Sequence, residues 1–185
     1  MIISISGVPG SGKTSVGKLL AQKLHAPFYS MGGLRGKMAI ERGMTIAELN
    51  ALGESDPTTD SSVDDYQREL GKKENHFVIE GRVSWHFIPH SFKVLLECEP
   101  MEAARRIIQV QRSTPGHEER DEPDYKTLEE ARQALDARMA SDTKRYQKYY
   151  GVDYRDPSHY DLVIDTTKNS GPEETTDQII KKLSL

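Results

Sequence analysis

Short apolar runs, each closed by a turn residue, alternate along this chain with stretches whose apolar positions fall at helical spacing. Ile2–Ser6, Phe28–Ser30, Phe77–Glu80, Lys93–Cys98 and Leu162–Asp165 read as strands, and continuous apolar runs of this length suit strands buried on both faces. Val16, Leu19, Leu20 and Leu24 set one helix. Met101 to about Arg112 sets a second, opened by Pro100, and Lys126 to about Tyr150 a third, with Leu128, Leu135 and Met139 as its apolar stripe. This alternation predicts a five-stranded parallel sheet with helices on both faces.

Two stretches exceed a minimal sheet. Residues 31–73 predict two or three helices, opened by "SMGGLRGKMAIERG", "TIAELNALG" and "DSSVDDYQRELGKK". Residues 113–125, "STPGHEERDEPDY", have no apolar period and carry prolines and acids, which predicts a surface loop or the tip of a lid, mobile without ligand. No internal repeat or low-complexity linker interrupts the chain.

Composition changes little in this picture but narrows the partners. A length of 185 residues suits one compact domain over 1–185. The net charge of −4 gives no reason to expect nucleic acid or an anionic membrane as partner. The single cysteine, Cys98, excludes an internal disulfide and suits a reducing compartment. "MIISIS" is too short to span a bilayer, so a soluble, cytoplasmic protein, a monomer, is expected. Cys98 lacks a neighbouring histidine to activate it and is expected as a buried thiol. His86 and His90 have metal-like spacing, but Pro89 lies between them and both are expected in a loop. Tyr146, Tyr149 and Tyr150 are expected to pack along a helix.

The densest chemistry is "GVPGSGKT", from Gly7 through Gly10, Ser11, Gly12 and Lys13 to Thr14, followed by Ser15. It satisfies G-x-x-x-x-G-K-[ST] between a strand and an amphipathic helix. Glycines let backbone N–H groups converge on phosphate oxygens, and the helix aims its positive end at the same anion. Lys13 reaches the β- and γ-phosphates and Thr14 ligates Mg²⁺, so the loop predicts a nucleoside triphosphate site, with ATP as donor.

Two further signals concern the phosphoryl acceptor. In "FVIEGRVSW", Glu80 ends a strand where a carboxylate can reach Mg²⁺, and Arg82 can clamp a phosphate in bidentate geometry; the alternative is a strand-end salt bridge between the two. Arg138, Asp142 and Arg145 share one face of the long helix; the alternative there is a solvated ladder of charges.

With these residues the chain resembles the cytidylate kinases, in particular the short archaeal type, within the nucleoside monophosphate kinases. The resemblance rests on "ISGVPGSGKTSVGKLLAQKL", "YSMGG", "MAIERGMT", "VIEGR", "RMASDTKRYQKYYGVD" and "YDLVIDTTKNSGPEE". It implies that Arg82 binds the acceptor's α-phosphate, that Arg138 and Arg145 bridge donor and acceptor phosphates, and that Asp142 orients those arginines and contacts the acceptor's sugar or base side. It places Asp60 and Asp64 in the acceptor-binding insert and Lys168 near the donor adenine. The family usually carries an arginine four residues after the equivalent of Gly32; here that position is Gly36, Arg35 precedes it, and Lys37 follows as a possible share of the contact. The expectation is therefore a P-loop NTPase fold with a helical acceptor-binding insert and a lid. Its activity would be transfer from ATP, with Mg²⁺, to a pyrimidine nucleoside monophosphate, CMP or dCMP. AMP or UMP as acceptor, and a regulatory module that binds nucleotide with little turnover, are the alternatives.

Overall fold

The computed structural model describes residues 1–113 and 124–183. Most of the expected lid, including the acidic run around Arg120, lies outside the described residues.

Five strands, β1 (Ile2–Gly7), β2 (Phe28–Ser30), β3 (Phe77–Glu80), β4 (Phe92–Glu97) and β5 (Leu162–Asp165), form one parallel sheet in the order β2-β3-β1-β4-β5. The helices between them are α1 (Lys13–Lys23), α2 (Met31–Glu41), α3 (Ile46–Gly53), α4 (Thr58–Lys73), α5 (Ser84–Phe87), α6 (Pro100–Ser113), α7 (Leu128–Tyr150) and α8 (Pro172–Leu183). The predicted strands and long helices recur within a residue or two. Residues 31–73 are three helices, α2, α3 and α4. His86 is the exception, because it sits on α5 and not in a loop.

Alternation along "IISIS" assigns the two faces of β1. Ile3 and Ile5 join Val16, Leu20, Val94 and Ile179 on the face covered by α1 and α8. Ile2 points to the other face with Phe77, Ile79, Val83 and Tyr146. On that face Ser4 and Ser6 are also buried, and each is satisfied: the Ser4 and Ser91 hydroxyls are 2.8 Å apart, and Ser6 donates to the carbonyl of Arg82 at 2.7 Å. Burying eleven large apolar side chains on the Ile2 face and nine on the Ile3 face, at roughly 1.5–3 kcal/mol each, is what holds the layers against chain entropy. β5 is an edge strand, and Val163 on it is 38% exposed, so not every strand is buried on both faces.

In a parallel sheet every strand ends on the same side. The loop after β1, Ser30 after β2, Glu80–Arg82 after β3 and Thr166 after β5 therefore gather along one edge, where ligands bind in open α/β sheets. α7 packs on α6 through Ala131, Leu135, Ala104 and Ile108, and its second half faces the insert. Lys144 pairs with Glu54, and Lys148 donates to the Glu54 carbonyl at 2.8 Å, fastening α7 to the end of α3. Among the described residues no helix is long and apolar enough to cross a membrane.

Candidate active site

The loop between β1 and α1 is built by its backbone. Gly10 has φ of 79°, and a Cβ there would come within 2.6 Å of the Ala103 carbonyl oxygen, so a larger residue would strain the backbone and push α6 away. α1 begins without a side-chain cap, so its first N–H groups are left for an anion. Ser11 donates to the Val8 carbonyl at 2.9 Å, and the Lys13 ammonium folds back to the same oxygen at 2.7 Å. Ser15 is exposed at the start of α1.

Glu80 lies beside this loop, 3% exposed. Its Oε1 accepts from the Thr14 hydroxyl at 2.9 Å and from the Ser30 hydroxyl at 2.5 Å. The salt bridge between Glu80 and Arg82 that the sequence left open does not form. Arg82 turns instead to α7, where its Nε is 2.6 Å from Asp142 Oδ2.

Asp142 is the centre of a buried charge cluster. Its other oxygen accepts from Arg145 at 2.6 Å, and Arg145 also reaches Asp60 of α4 at 2.9 Å. Asp60 is shared with Arg35 of α2. Arg35 is held further by the Asn50 side chain at 2.9 Å and by the carbonyls of Thr59 and Leu49 at 3.1 and 3.3 Å. Arg145 is only 1% exposed and Asp142 2%, so this face of α7 is not a solvated ladder. Gly53 permits the convergence: a Cβ there would stand 3.1 Å from Arg145 Cδ and 3.2 Å from Arg35 Nη2. Half-buried Arg138, one turn earlier, adds its charge to the field at Asp142.

The electrostatics follow from burial and pairing. Burial alone would raise the Asp142 carboxyl, but Arg82, Arg145 and Arg138 hold it below the usual carboxylate range. Burial pushes the Arg35 guanidinium down, and Asp60 offsets part of that. Arg82 and Arg145 resist the same desolvation and end above their ordinary values, Arg82 through Asp142 and Arg145 through Tyr146, Asp142 and Asp60. Four guanidiniums, those of Arg35, Arg82, Arg138 and Arg145, are set against the carboxylates of Asp60 and Asp142, with Asp64 one turn away, so guanidiniums outnumber carboxylates. Such an excess suits a bound phosphate dianion.

Asp64, one turn after Asp60, is different. Burial, and then the charge of Asp60, raise its carboxyl to about 6, against the opposing hydrogen bond that Tyr150 donates at 2.5 Å. Its Oδ1 makes no hydrogen bond among the described residues.

The structure thus brings Arg35, Asp60, Arg82, Asp142 and Arg145 together, with Asp64 and Arg138 beside them and Thr14 and Glu80 adjoining. It does not bring Lys37, which is exposed on the opposite side of α2 from Arg35; one residue of helix turns a side chain about 100°. Lys168 is exposed in the turn after β5. That turn does reach the loop: the Thr166 hydroxyl approaches the Ser11 carbonyl at 3.2 Å, and Arg106 donates to the Thr166 carbonyl at 2.6 Å. Ser30, Asn50, Thr59, Arg106 and Thr166 were not singled out in sequence. For Ser30 alone the sequence holds a signal that would have found it: a serine directly before a helix is a favoured N-cap, the position it takes ahead of α2. Cys98 is buried, which raises its thiol; the tyrosines of α7 pack, Tyr146 stacking on Tyr150 with ring centres 5.9 Å apart. His90 is exposed, and no group of three metal-ligating side chains occurs among the described residues.

The model of the cytidylate kinase-like family matches residues 2–168. The cytidylate kinase of Methanocella arvoryzae is 39% identical over 168 residues, covering 91% of this chain and 89% of that protein. The cytidylate kinase of Halobacterium salinarum is 34% identical over 182 residues, 97% of this chain and 88% of that one. Among solved structures, an uncharacterized protein from Eubacterium ventriosum superimposes with a TM-score of 0.70 at 20% identity, covering 100% of this chain and 98% of that one. Shikimate kinase from Bacteroides thetaiotaomicron does so with a TM-score of 0.64 at 17% identity, covering 100% and 99%. At those identities the two structures speak for the fold alone, that of the P-loop kinases. The chain belongs to the cytidylate kinase-like family.

Proposed function

We propose that this member of the cytidylate kinase-like family transfers the γ-phosphoryl group of ATP to a pyrimidine nucleoside monophosphate, with CMP or dCMP preferred. The observation that carries the proposal is the buried cluster of Arg35, Arg82 and Arg145, with Arg138 beside it, directly across Glu80 from the phosphate loop. A module that only bound ATP would have no use for a second cationic site. The relatives' names support the acceptor.

In this mechanism the donor's phosphates lie in the backbone cradle of Gly7–Thr14, with Lys13 leaving the Val8 carbonyl for the β- and γ-oxygens. Thr14 and Glu80 are hard oxygen ligands 2.9 Å apart, a donor set that fits Mg²⁺, which keeps few protein ligands and takes the rest from phosphate and water. When bound, Mg²⁺ neutralises charge on the donor phosphates. Arg82 and Arg145 orient the acceptor phosphate, whose oxygen attacks the γ-phosphorus as the bond to the β-phosphate oxygen breaks and ADP departs. No covalent enzyme intermediate is required, and catalysis is positioning plus charge neutralisation.

Asp60 is occupied by two guanidiniums, so Asp64 is the better carboxylate for the exocyclic amine of cytosine. Uracil presents a carbonyl there and would leave a buried carboxylate unpaired, a basis for strong discrimination. The lone buried cysteine suits the cytoplasm, where we place the reaction, carried out by a monomer. ADP release measured against a panel of nucleoside monophosphates tests the proposal. We expect kcat/KM for CMP or dCMP to exceed that for AMP, UMP and GMP by tenfold or more. Equal or better turnover of AMP or UMP would replace the acceptor, and absence of turnover with any of them would leave a nucleotide-binding module.

A further inference from the structure

The donor and acceptor halves of the site meet at one oxygen. Glu80 Oε1 accepts from Thr14, in the phosphate loop, and from Ser30, at the end of β2. Ser30 is also the N-cap of α2, where its hydroxyl oxygen accepts from the Gly33 amide at 3.0 Å. A serine hydroxyl has one proton to give and lone pairs to receive. Here the proton goes to a buried carboxylate, a short charge-assisted bond, and a lone pair closes the first turn of a helix. That helix carries Arg35, whose guanidinium rests on Asp60, the carboxylate shared with Arg145 of α7. An unbroken series of contacts therefore runs from Thr14 through Glu80, Ser30 and α2 to the arginines.

We infer that Ser30 is a positioning residue that couples the nucleotide–Mg²⁺ side of the site to the acceptor side, by holding the Glu80 carboxylate and the first turn of α2 through a single hydroxyl. The inference rests on the reading of the arginine cluster as the acceptor site. Glu80 cannot shift toward a ligand at Thr14 without drawing on Ser30, and Ser30 cannot follow without moving the start of α2. Occupancy at the phosphate loop is thus felt at Arg35, and by linkage the acceptor is felt at the loop with the same factor.

Three substitutions separate this role from plain helix capping. Ser30→Ala removes both the cap and the donor. Ser30→Asp keeps a strong cap and, when ionised, sets a like charge against Glu80 in place of the donor, whereas Ser30→Asn keeps a cap and supplies an amide donor. The affinity for CMP is measured by calorimetry with and without saturating Mg·ADP, a pair that binds without reacting. We expect Mg·ADP to change CMP affinity about fivefold or more in the wild type, the lower end of common coupling factors. Ser30→Asn should retain the factor, and Ser30→Ala and Ser30→Asp should bring it close to one. A factor retained in Ser30→Asp would make Ser30 only a helix cap and overturn the inference, as would a wild-type factor of one. Hydrogen exchange at the amides of Gly32–Leu34 needs no acceptor: Mg·ADP should slow it in the wild type and Ser30→Asn but not in Ser30→Asp. If the wild type binds no CMP, the proposed acceptor fails while this exchange measurement still decides the role of Ser30, and equal slowing in all three proteins would end it.

Discussion

The phosphate loop and the arginine cluster stand side by side at one edge of the sheet, yet they are built in opposite ways. The loop is eight consecutive residues whose proposed role falls to backbone N–H groups and one lysine, so its parts are neighbours in sequence before they are neighbours in space. The cluster is assembled from side chains on α2, α4, the end of β3 and α7, spread from Arg35 to Arg145. A loop of backbone amides holds an anion with little help from distant residues. A cluster of buried ions needs every partner present, because each removed charge leaves another uncompensated in a medium that solvates it poorly. The two regions should therefore respond differently to substitution: the loop by losing rate, the cluster by losing stability.

The largest effect should come from Asp142→Ala. It strands Arg82 without its carboxylate and leaves Arg145 with Asp60 alone, and removing one partner of a buried pair typically costs about 3–5 kcal/mol. We expect a fall in denaturation midpoint corresponding to that loss, together with weaker acceptor binding. An unchanged midpoint would mean that the cluster is well hydrated and that the contrast with the loop is false. Lys13→Ala probes the other side. Its loss should lower kcat by a factor of about 10²–10³, the scale of one transition-state charge contact, while thermal stability stays close to wild type. Near-normal turnover in a folded Lys13→Ala protein would remove the loop from the chemistry.

Asp64 gives a smaller, pH-dependent test. Its folded value of about 6 lies above the ordinary carboxylate value, so its contribution to stability is full below about pH 4 and is lost as pH rises through about 6. Asp64→Asn removes that dependence. Relative to wild type, the variant should gain on the order of 2 kcal/mol between pH 4 and pH 7, a shift of several degrees in melting temperature. A difference between the two proteins that does not vary with pH would show that Asp64 titrates normally. The smallest effect is expected at Lys37, which points away from the cluster. Lys37→Ala should change stability by less than about 0.5 kcal/mol and leave the acceptor KM within twofold, whereas Arg35→Ala should raise that KM at least tenfold. Equal effects of the two would restore Lys37 to the site.

The sequence by itself determined the alternation of strands and helices, the helical character of residues 31–73, though not whether two or three helices form there, and the glycine-rich loop pattern of Gly7–Thr14. Each of these is a local pattern: a period of apolar residues, a proline at a helix start, glycines before a lysine. It also marked Glu80, Arg82, Arg138, Asp142 and Arg145 as candidates, because strand ends and helix faces can be read from spacing. It could not decide partners. Glu80 and Arg82 are two residues apart and looked like a pair, yet parallel packing of β3 beside β1 sends Glu80 to Thr14 and Ser30, and the approach of α7 takes Arg82 to Asp142. Arg35 and Lys37 were equal candidates until α2 was oriented, and burying Met31 and Ala39 on one face of that helix turned Arg35 inward and left Lys37 outside. Asp60 appeared as a ligand for an acceptor and turned out to be held by two arginines from helices distant in sequence. Charge pairing acts through space and is fixed by the packing of apolar faces, which spacing along the chain records for one element at a time and never for two together.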